Sequence, residues 1–581
     1  MNLEAIPDRL TDYLRGEARQ FVILTRHFFN RFFINDIVAF EEQMKEKTIA
    51  AIALLGGLCG YVANTIFFKY ASELFGADIS QSWLEKCYFL FFGMLLMGFF
   101  TVLEWDVIFP DRRDYMNLAS LPVKIRTIFV SKFVSLSSFT ILFTLGINSF
   151  AVFAVLFYLP KWYSKSVLFL LLFGVVHMAV SFAANFFMFF AFIFLQGLLM
   201  TALGPGLFRR LSLLVRFALL TVFVFLLIVA VTESVVIFRI FDTLPALKEK
   251  NAALLYAFPP MWFAGLYETL LGNSDPIFHR LALIAAASLA IPVLGFFAAA
   301  SLSYRRHIRR AWEEKRKSAV TQKIKNSLST VFNAVAFRNP TQRAVFSFFG
   351  KTMLRSQIHK VRFISYLAVA MALSLILMAT KFVRGAPLVV TNRTLLSIPL
   401  VFSFFLVAGI RSVSSVPAAA EARWIFRLVE FSERKHVFIG FKKAVFFGLL
   451  GPLALAVFII SYLLWGWKNA GLHSFFVLTV STLLLQAVFF RYPKIPFACS
   501  YLPGKGRVHL FWLAYFIAFY LYVSILCVIE KELFLAPRNW ISFYTVMLIL
   551  LAGFKIYNDF IFSRKTPFVY DDEPEPVMVT M

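Results

Sequence analysis

Apolar residues in this chain come in long, nearly unbroken blocks rather than in strict alternation. A helix needs about 20 apolar residues to cross bilayer hydrocarbon, and blocks of that length recur from end to end. The pattern predicts about twelve spans, near 48–68, 85–105, 133–158, 166–200, 211–237, 279–303, 363–383, 394–411, 443–465, 471–490, 509–529 and 539–557. Hydrocarbon offers no water to pair a backbone N–H or C=O, so each span is expected to be helical. The expected fold class is all-α, a polytopic membrane protein.

Two segments carry a different pattern. FVILTRHFFNRFFINDIVAF (21–40) places Arg26, Asn30, Arg31 and Asn35 on one side of a helix. Leu24, Phe28, Phe29, Phe32, Phe33 and Ile37 take the other. TQRAVFSFFGKTMLRSQIHKVRF (341–363) repeats the device, with Arg343, Ser347, Lys351 and Arg355 four residues apart. Such stripes suit helices lying in the membrane surface. Each comes directly before an expected span.

Composition agrees with this reading. Only 15% of the 581 residues are charged and 60% are hydrophobic, 73 of them Phe, where a soluble chain is about one quarter charged. The net charge of +26 does not point to nucleic acid, because the basic residues fall between spans rather than on one compact domain. With the N-terminus inside, the cytoplasmic loops collect most Lys and Arg. Flipping the chain would put Arg305, Arg306, Arg309, Arg310, Lys315, Arg316 and Lys317 outside, against the positive-inside tendency. Both termini are therefore expected in the cytoplasm, the chain in the plasma membrane. Cys59, Cys87, Cys499 and Cys527 lack metal-ligand spacing and read as thiols in helices. Met1 to Lys47 has no short apolar core with a cleavage site, so the first span is expected to be retained.

Landmarks recur about 300 residues apart. FPDRRDYMNLASLPVKIRTIFVSKF (109–133) has a counterpart in SVPAAAEARWIFRLVEFSERKHVFIGFKKAVFF (415–447). Pro110 matches Pro417, Lys124 and Arg126 match Arg434 and Lys435, and Lys132 matches Lys442 or Lys443. LGPGLFRRLSLLVRF (203–217) and YLPGKGRVHLFW (501–512) occupy like places further on. The predicted layout is an N-terminal segment with a surface helix (1–47) and a first six-span half (48–304). A basic linker with a second surface helix (305–362), a second six-span half (363–557) and a tail (558–581) follow. Residues 238–278, between spans five and six, shrink to ELFLAPRN (532–539) in the second half.

The 109–133 stretch cannot span. Asp111, Arg112, Arg113, Asp114, Lys124, Arg126 and Lys132, at roughly 3 kcal/mol each, would cost about 20 kcal/mol at mid-bilayer. Yet Leu118, Leu121, Val123, Ile125, Ile128, Phe129 and Phe133 make it too apolar for a floating loop. A short surface helix reconciles the two, with Pro110 at its start and Pro122 at a break.

These residues resemble the coupling segment of type-2 ATP-binding-cassette exporter permeases. In that family a span ends near Pro-x-Arg-Arg-Asp, and Leu-Pro-Val with a following basic residue precedes the third span. The surface helix before the first span, the six-span halves and YAFPPMWFAGLYETLLG (256–272), similar to that family's outer re-entrant segment, extend the resemblance over nearly the whole chain. The resemblance implies that Arg112, Arg113, Asp114, Leu121, Pro122 and Arg126 dock an ATPase subunit, with Phe426, Arg427, Glu430, Glu433 and Arg434 doing so in the second half. It implies two ATPase copies carrying ATP and Mg. The competing reading makes these residues ordinary anchors on lipid headgroups. The chain departs from the family pattern in carrying both halves in one polypeptide and in lacking the Pro-Pro-x-Trp-Phe segment in the second half.

No motor is expected in the chain itself. A phosphate loop needs Gly-x-x-x-x-Gly-Lys-Ser/Thr, and the nearest match, VFSFFGKT (345–352), has Val345 in place of the first Gly. The expectation is a transport subunit, not an enzyme, without metal or cofactor of its own. Polar residues within spans are costly and often functional, so Asn148, His177, Asn185, Gln196, Glu233 and Gln486 are candidates to line a pathway. Interhelical hydrogen bonding is the simpler reading of each. Two other classes compete. One is an ion- or proton-coupled secondary transporter of six plus six spans. The other is a membrane lipid or glycosyl transferase, for which Asp242, Glu249, Glu268, Asp275 and His279 are too scattered in sequence. A Phe-rich interior is compatible with lipid-like cargo.

Overall fold

The structure, a computed structural model, describes residues 5–33, 56–64, 82–105, 121–158, 167–203, 205–232, 243–311, 339–383, 389–418, 434–490, 492, 495–497 and 508–563. Among them helices dominate and no strand occurs. Ten helical stretches among the described residues are long and apolar enough to cross a membrane. The chain is an all-α, multi-pass membrane protein. It divides into two compact units, Met1–Glu314 and Lys315–Met581.

In the first unit α1 (Ala5–Phe33) is followed by helical residues 56–64, α2 (Trp83–Leu103), α3 (Ile125–Tyr158), α4 (Val167–Ala202) and α5 (Pro205–Thr232). The short helices α6 (Leu244–Glu249), α7 (Ala253–Tyr256) and α8 (Pro259–Leu270) lead into α9 (Pro276–Ala311). The centre is α2, which packs on α4, α5 and α8 and buries Tyr88, Phe89, Phe92 and Met97. The peripheral α9 leaves Leu283, Ile291 and Leu294 exposed. In a membrane, that rim is the lipid contact. Lipid is as apolar as Leu, so close packing and buried polar contacts hold the helices together rather than burial from water.

The second unit comprises α10 (Pro340–Arg355), α11 (Gln357–Val383), α12 (Arg393–Ser414), α13 (Arg434–Val445), α14 (Gly451–Val488), α15 (Val508–Leu535) and α16 (Asn539–Ser563). Here α12 is central, packed on α11, α14 and α15, while α16 exposes Ile541 and Leu548. A π-helical turn, Phe446–Leu450, joins α13 to α14, just before Pro452, which has no N–H to offer the preceding turn. The helical stretch Lys435–Val488 has 54 residues, far beyond one crossing at 1.5 Å per residue. It leaves helical geometry at Gly466 (φ 77°, ψ 171°). Val457 before that point shares a buried cluster with Phe476, Val477 and Val480 after it, as in a helical hairpin.

In each unit an amphipathic helix packs on a later helix, α1 on α3 and α10 on α13. In the first unit Leu24 and Phe28 meet Ile128, Lys132 Nζ sits 4.9 Å over the Phe28 ring, and Lys124 pairs with Glu17 at 2.6 Å. In the second, Phe349 packs on Phe441 and Lys443 Nζ donates to Gln342 Oε1 at 3.1 Å. Gly440 permits the approach, since a Cβ there would lie 2.9 Å from the Gln342 backbone.

Two expected boundaries move. The second surface helix ends at Arg355, where Ser356 turns extended and a new helix starts at Gln357. The segment after Pro122 is not a separate surface helix, because α3 runs unbroken from Ile125 to Tyr158. Arg126 thus stands on that helix's first turn, where a charge still reaches the headgroup region.

Candidate functional site

The polar residues of the first unit converge on a seam between α2, α3, α4 and α8. Lys86, in the first turn of α2, is buried and donates to Glu268 Oε1 of α8 at 2.6 Å. Asn273 Nδ2 donates to the other Glu268 oxygen at 3.0 Å. The ammonium also lies 5.0 Å from the Tyr267 ring centre and 5.7 Å from that of Phe173. A buried charge is tolerable only when paired and surrounded in this way.

From Tyr267 the seam continues inward. Its hydroxyl is 3.3 Å from His177 Nδ1, and His177 Nε2 is 3.0 Å from Asn148 Oδ1. Asn148 Nδ2 donates to the Thr144 carbonyl at 2.9 Å, so its Oδ1 is left to accept from the histidine. That assigns the imidazole hydrogen to Nε2 and makes Nδ1 the acceptor of the Tyr267 hydroxyl. A neutral ring satisfies both contacts. Asn185 Nδ2 then donates to Thr144 Oγ1 at 3.2 Å. Asn185 Oδ1 and Ser181 Oγ are buried without a hydrogen-bond partner. Both residues line a narrow crevice with Asn148, Phe89 and Gly93.

The structure therefore brings together Asn148, His177 and Asn185. It places Gln196 elsewhere: its Nε2 donates to the Trp105 carbonyl at 2.8 Å, beside Arg216, which donates to the Leu103 carbonyl. Those two close the C-terminal end of α2, where carbonyls lack helical partners. Gln486 lies in the second unit, where Lys442 Nζ donates to its Oε1. Glu233 falls outside the described residues, as do Arg112, Arg113, Asp114, Phe426, Arg427, Glu430 and Glu433. Leu121, Pro122 and Arg126 are exposed, and Arg434 opens α13.

Sequence reasoning missed Lys86 and Glu268. Lys86 stands at the margin of an apolar block, where it reads as a headgroup anchor, and Glu268 reads as one of several scattered loop acids. Only the docking of α8 against α2 makes them a pair. The intramembrane position of Lys86 was the available signal. It also missed His473 and Glu530 in the second unit, whose Nδ1 and Oε1 are 2.6 Å apart with both side chains buried.

Near this seam, outside the spans, Lys248 pairs with Asp275 at 2.6 Å. Burial raises the Asp275 carboxyl, but the Lys248 hydrogen bond, the Ile277 N–H and the nearby positive charge outweigh it and hold the group below the usual carboxylate value.

Chemically the seam is a file of hydrogen-bond donors and acceptors across four helices. Among the described residues no group of three His, Cys, Asp or Glu could hold a metal. No protein-family model, curated protein or solved structure matches this chain.

Proposed function

We propose that the chain is the membrane permease of an ATP-driven exporter of the type-2 ATP-binding-cassette class, its two six-span halves fused in one polypeptide. Separate ATPase subunits, two copies binding ATP and Mg, dock on the segments at 109–133 and 415–447. The Phe-rich interior is compatible with a hydrophobic or lipid-like cargo, which would leave the cytoplasm through a route beside the α2–α4 seam. The carrying observation is the recurrent packing of a surface helix on the start of the third span, α1 on α3 and α10 on α13. In each unit that contact is made by the C-terminal part of the charged stretch itself, so a push on the stretch is delivered to a packed pair of helices. ATP-driven closure of the ATPase dimer would rock each half and change which side of the membrane the route faces.

The test is purification of the chain from its native membranes. An ATPase partner is expected to co-purify, and Arg126→Glu with Arg434→Glu is expected to release it while the chain stays folded. If the double variant retains both partner and transport, the docking reading falls.

A second reading, a proton-coupled secondary transporter, is favoured by one observation, the dry His473–Glu530 pair in the second unit. Transport that survives ATP depletion but stops with an uncoupler would select it.

A further inference from the structure

The His473–Glu530 pair has no part in the docking reading, and its geometry is unlike that of the other buried polar groups. His473 lies seven residues past the break at Gly466, and Glu530 lies five residues before the end of α15. At 1.5 Å per residue they sit about 10 Å and about 8 Å below the same end of the helical bundle. Nδ1 and Oε1 are 2.6 Å apart, and the side chains are 1% and 0% exposed. The second carboxyl oxygen, Glu530 Oε2, has no hydrogen-bond partner. Neither do the hydroxyl of Tyr544 and the indole N–H of Trp540, whose rings stack 5.7 Å apart.

The surrounding groups are few. From α14 comes His473, whose ring meets Trp465 at 5.5 Å. From α16 comes Tyr544, within electrostatic reach of the carboxyl. On α15 itself stand Tyr522, Cys527 and Lys531, and α12 offers Ser403 to the Tyr522 hydroxyl and the Arg393 carbonyl to the Cys527 thiol. Among the described residues the imidazole is the hydrogen-bond partner of the carboxyl group. A carboxylate at this depth with one oxygen bare carries a large desolvation cost. The imidazole beside it can carry a proton on either ring nitrogen. At 2.6 Å the neutral imidazole donates its Nδ1–H to the carboxylate, and one further proton, taken by the ring or by the carboxyl, removes the net charge.

We propose that Glu530 and His473 form a proton-binding site, which takes up and releases one proton from the end of the membrane where α14 breaks. On uptake an N–H or O–H bond forms within the pair, a hydronium ion or buffer acid gives up its proton, and the pair goes from net negative to neutral. Nothing is oxidised or reduced. The fourth-span histidine of the first unit makes the contrast, since His177 meets Asn148 and Tyr267 and no carboxylate. The inference goes beyond the permease reading and does not rest on it. Failure of either leaves the other standing.

The experiment uses the full chain reconstituted in phosphatidylcholine vesicles, with infrared difference spectra recorded between acidic and alkaline buffer. The wild type is expected to show a protonated-carboxyl band that titrates. Glu530→Gln removes it, His177→Gln keeps it, and His473→Gln moves its midpoint by about one pH unit or more. A wild type without a titrating carboxyl band, or a band that persists in Glu530→Gln, overturns the proposal. Should Glu530→Gln fail to fold, Glu530→Asp must shift the band rather than leave it unchanged. As a second measurement, the nitrogen-15 imidazole signal lost in His473→Gln must change with the carboxyl band in the wild type. An imidazole signal constant across the titration also overturns it.

Discussion

Lys86 and Glu268, 182 residues apart in the chain, close an ion pair of 2.6 Å with side chains 1% and 7% exposed. The pair fastens α8 to the central helix α2, and Tyr267, next to Glu268, carries the contact on to His177. Removing one partner leaves an uncompensated charge in a dry site, which typically costs about 3–5 kcal/mol. Lys86→Met and Glu268→Gln are each expected to lower the thermal midpoint of the purified chain sharply. The double substitution is expected to cost less than the two single losses added together. Additive losses in a double-mutant cycle would show that the pair does not hold the segment.

The membrane character of the chain and most of its helices were legible in the sequence, because a block of about 20 apolar residues has few alternatives to a spanning helix. The amphipathic stripes were equally plain, as Phe28 and Leu24 on one face of α1 illustrate. The polar site was half legible. Asn148, His177 and Asn185 stand out against apolar surroundings, but nothing in their spacing shows that Thr144 and Tyr267 link them. Glu268 was hidden because its burial depends on how α8 folds back, a long-range contact with no local periodicity. Glu530 was hidden for another reason: beside Lys531 and Glu532 it reads as part of a solvated helix end.

Gly466 supplies the break in α14 with φ 77° and ψ 171°, a region almost closed to residues with a Cβ. No heavy atom lies within 4 Å of where a Cβ would stand, so the cost of a side chain there is backbone strain and not collision. Gly466→Ala is expected to destabilise the second unit by roughly 1–3 kcal/mol. Gly471→Ala, in ordinary helical geometry with equally open space, is expected to be neutral or stabilising by up to about 1 kcal/mol. Denaturation midpoints of the two variants check the contrast, and equal losses would refute it.

Asp275 caps α9 by accepting the Ile277 N–H at 2.9 Å while pairing with Lys248. Its carboxyl is held below the ordinary value, so its ionised form is favoured by folding. The stability it adds is present above the unfolded carboxylate value of about 3.9 and is lost as pH falls through the lower folded value. Acidification should therefore loosen residues 243–275 first, seen as faster cleavage by an acid-active protease. Asp275→Asn can still accept the N–H but has no charge to lose. It is expected to weaken the segment at neutral pH and to flatten the pH dependence.

Gly440 lets α10 and α13 approach closely enough that a Cβ would press on the Gln342 backbone at 2.9 Å. Backbone cannot rotate away as a side-chain end can, so Gly440→Ala must separate the two helices. Overpacking of this kind costs about 1–3 kcal/mol. If the α10–α13 contact transmits force from an ATPase, Gly440→Ala is expected to reduce transport more than ATPase binding. Unchanged transport would mean that this contact carries no coupling.

The proposed parallel halves make a topological demand that is independent of any partner. Lys124 lies just before α3, its side chain 61% exposed, and Lys435 lies in the first turn of α13. Both precede the third span of their half, so an even number of crossings separates them and both must face the same side. The positive-inside tendency of the proposed layout predicts that side to be the cytoplasmic one. Lys124→Cys and Lys435→Cys are each expected to react with a membrane-impermeant maleimide in inverted vesicles and to be protected in intact cells. Cys59, Cys87 and Cys527 are buried, so a variant lacking only Cys499 gives the background. Labelling from opposite sides would mean an odd number of crossings. The two charged stretches could not then serve a common ATPase, whatever the fate of the proton site.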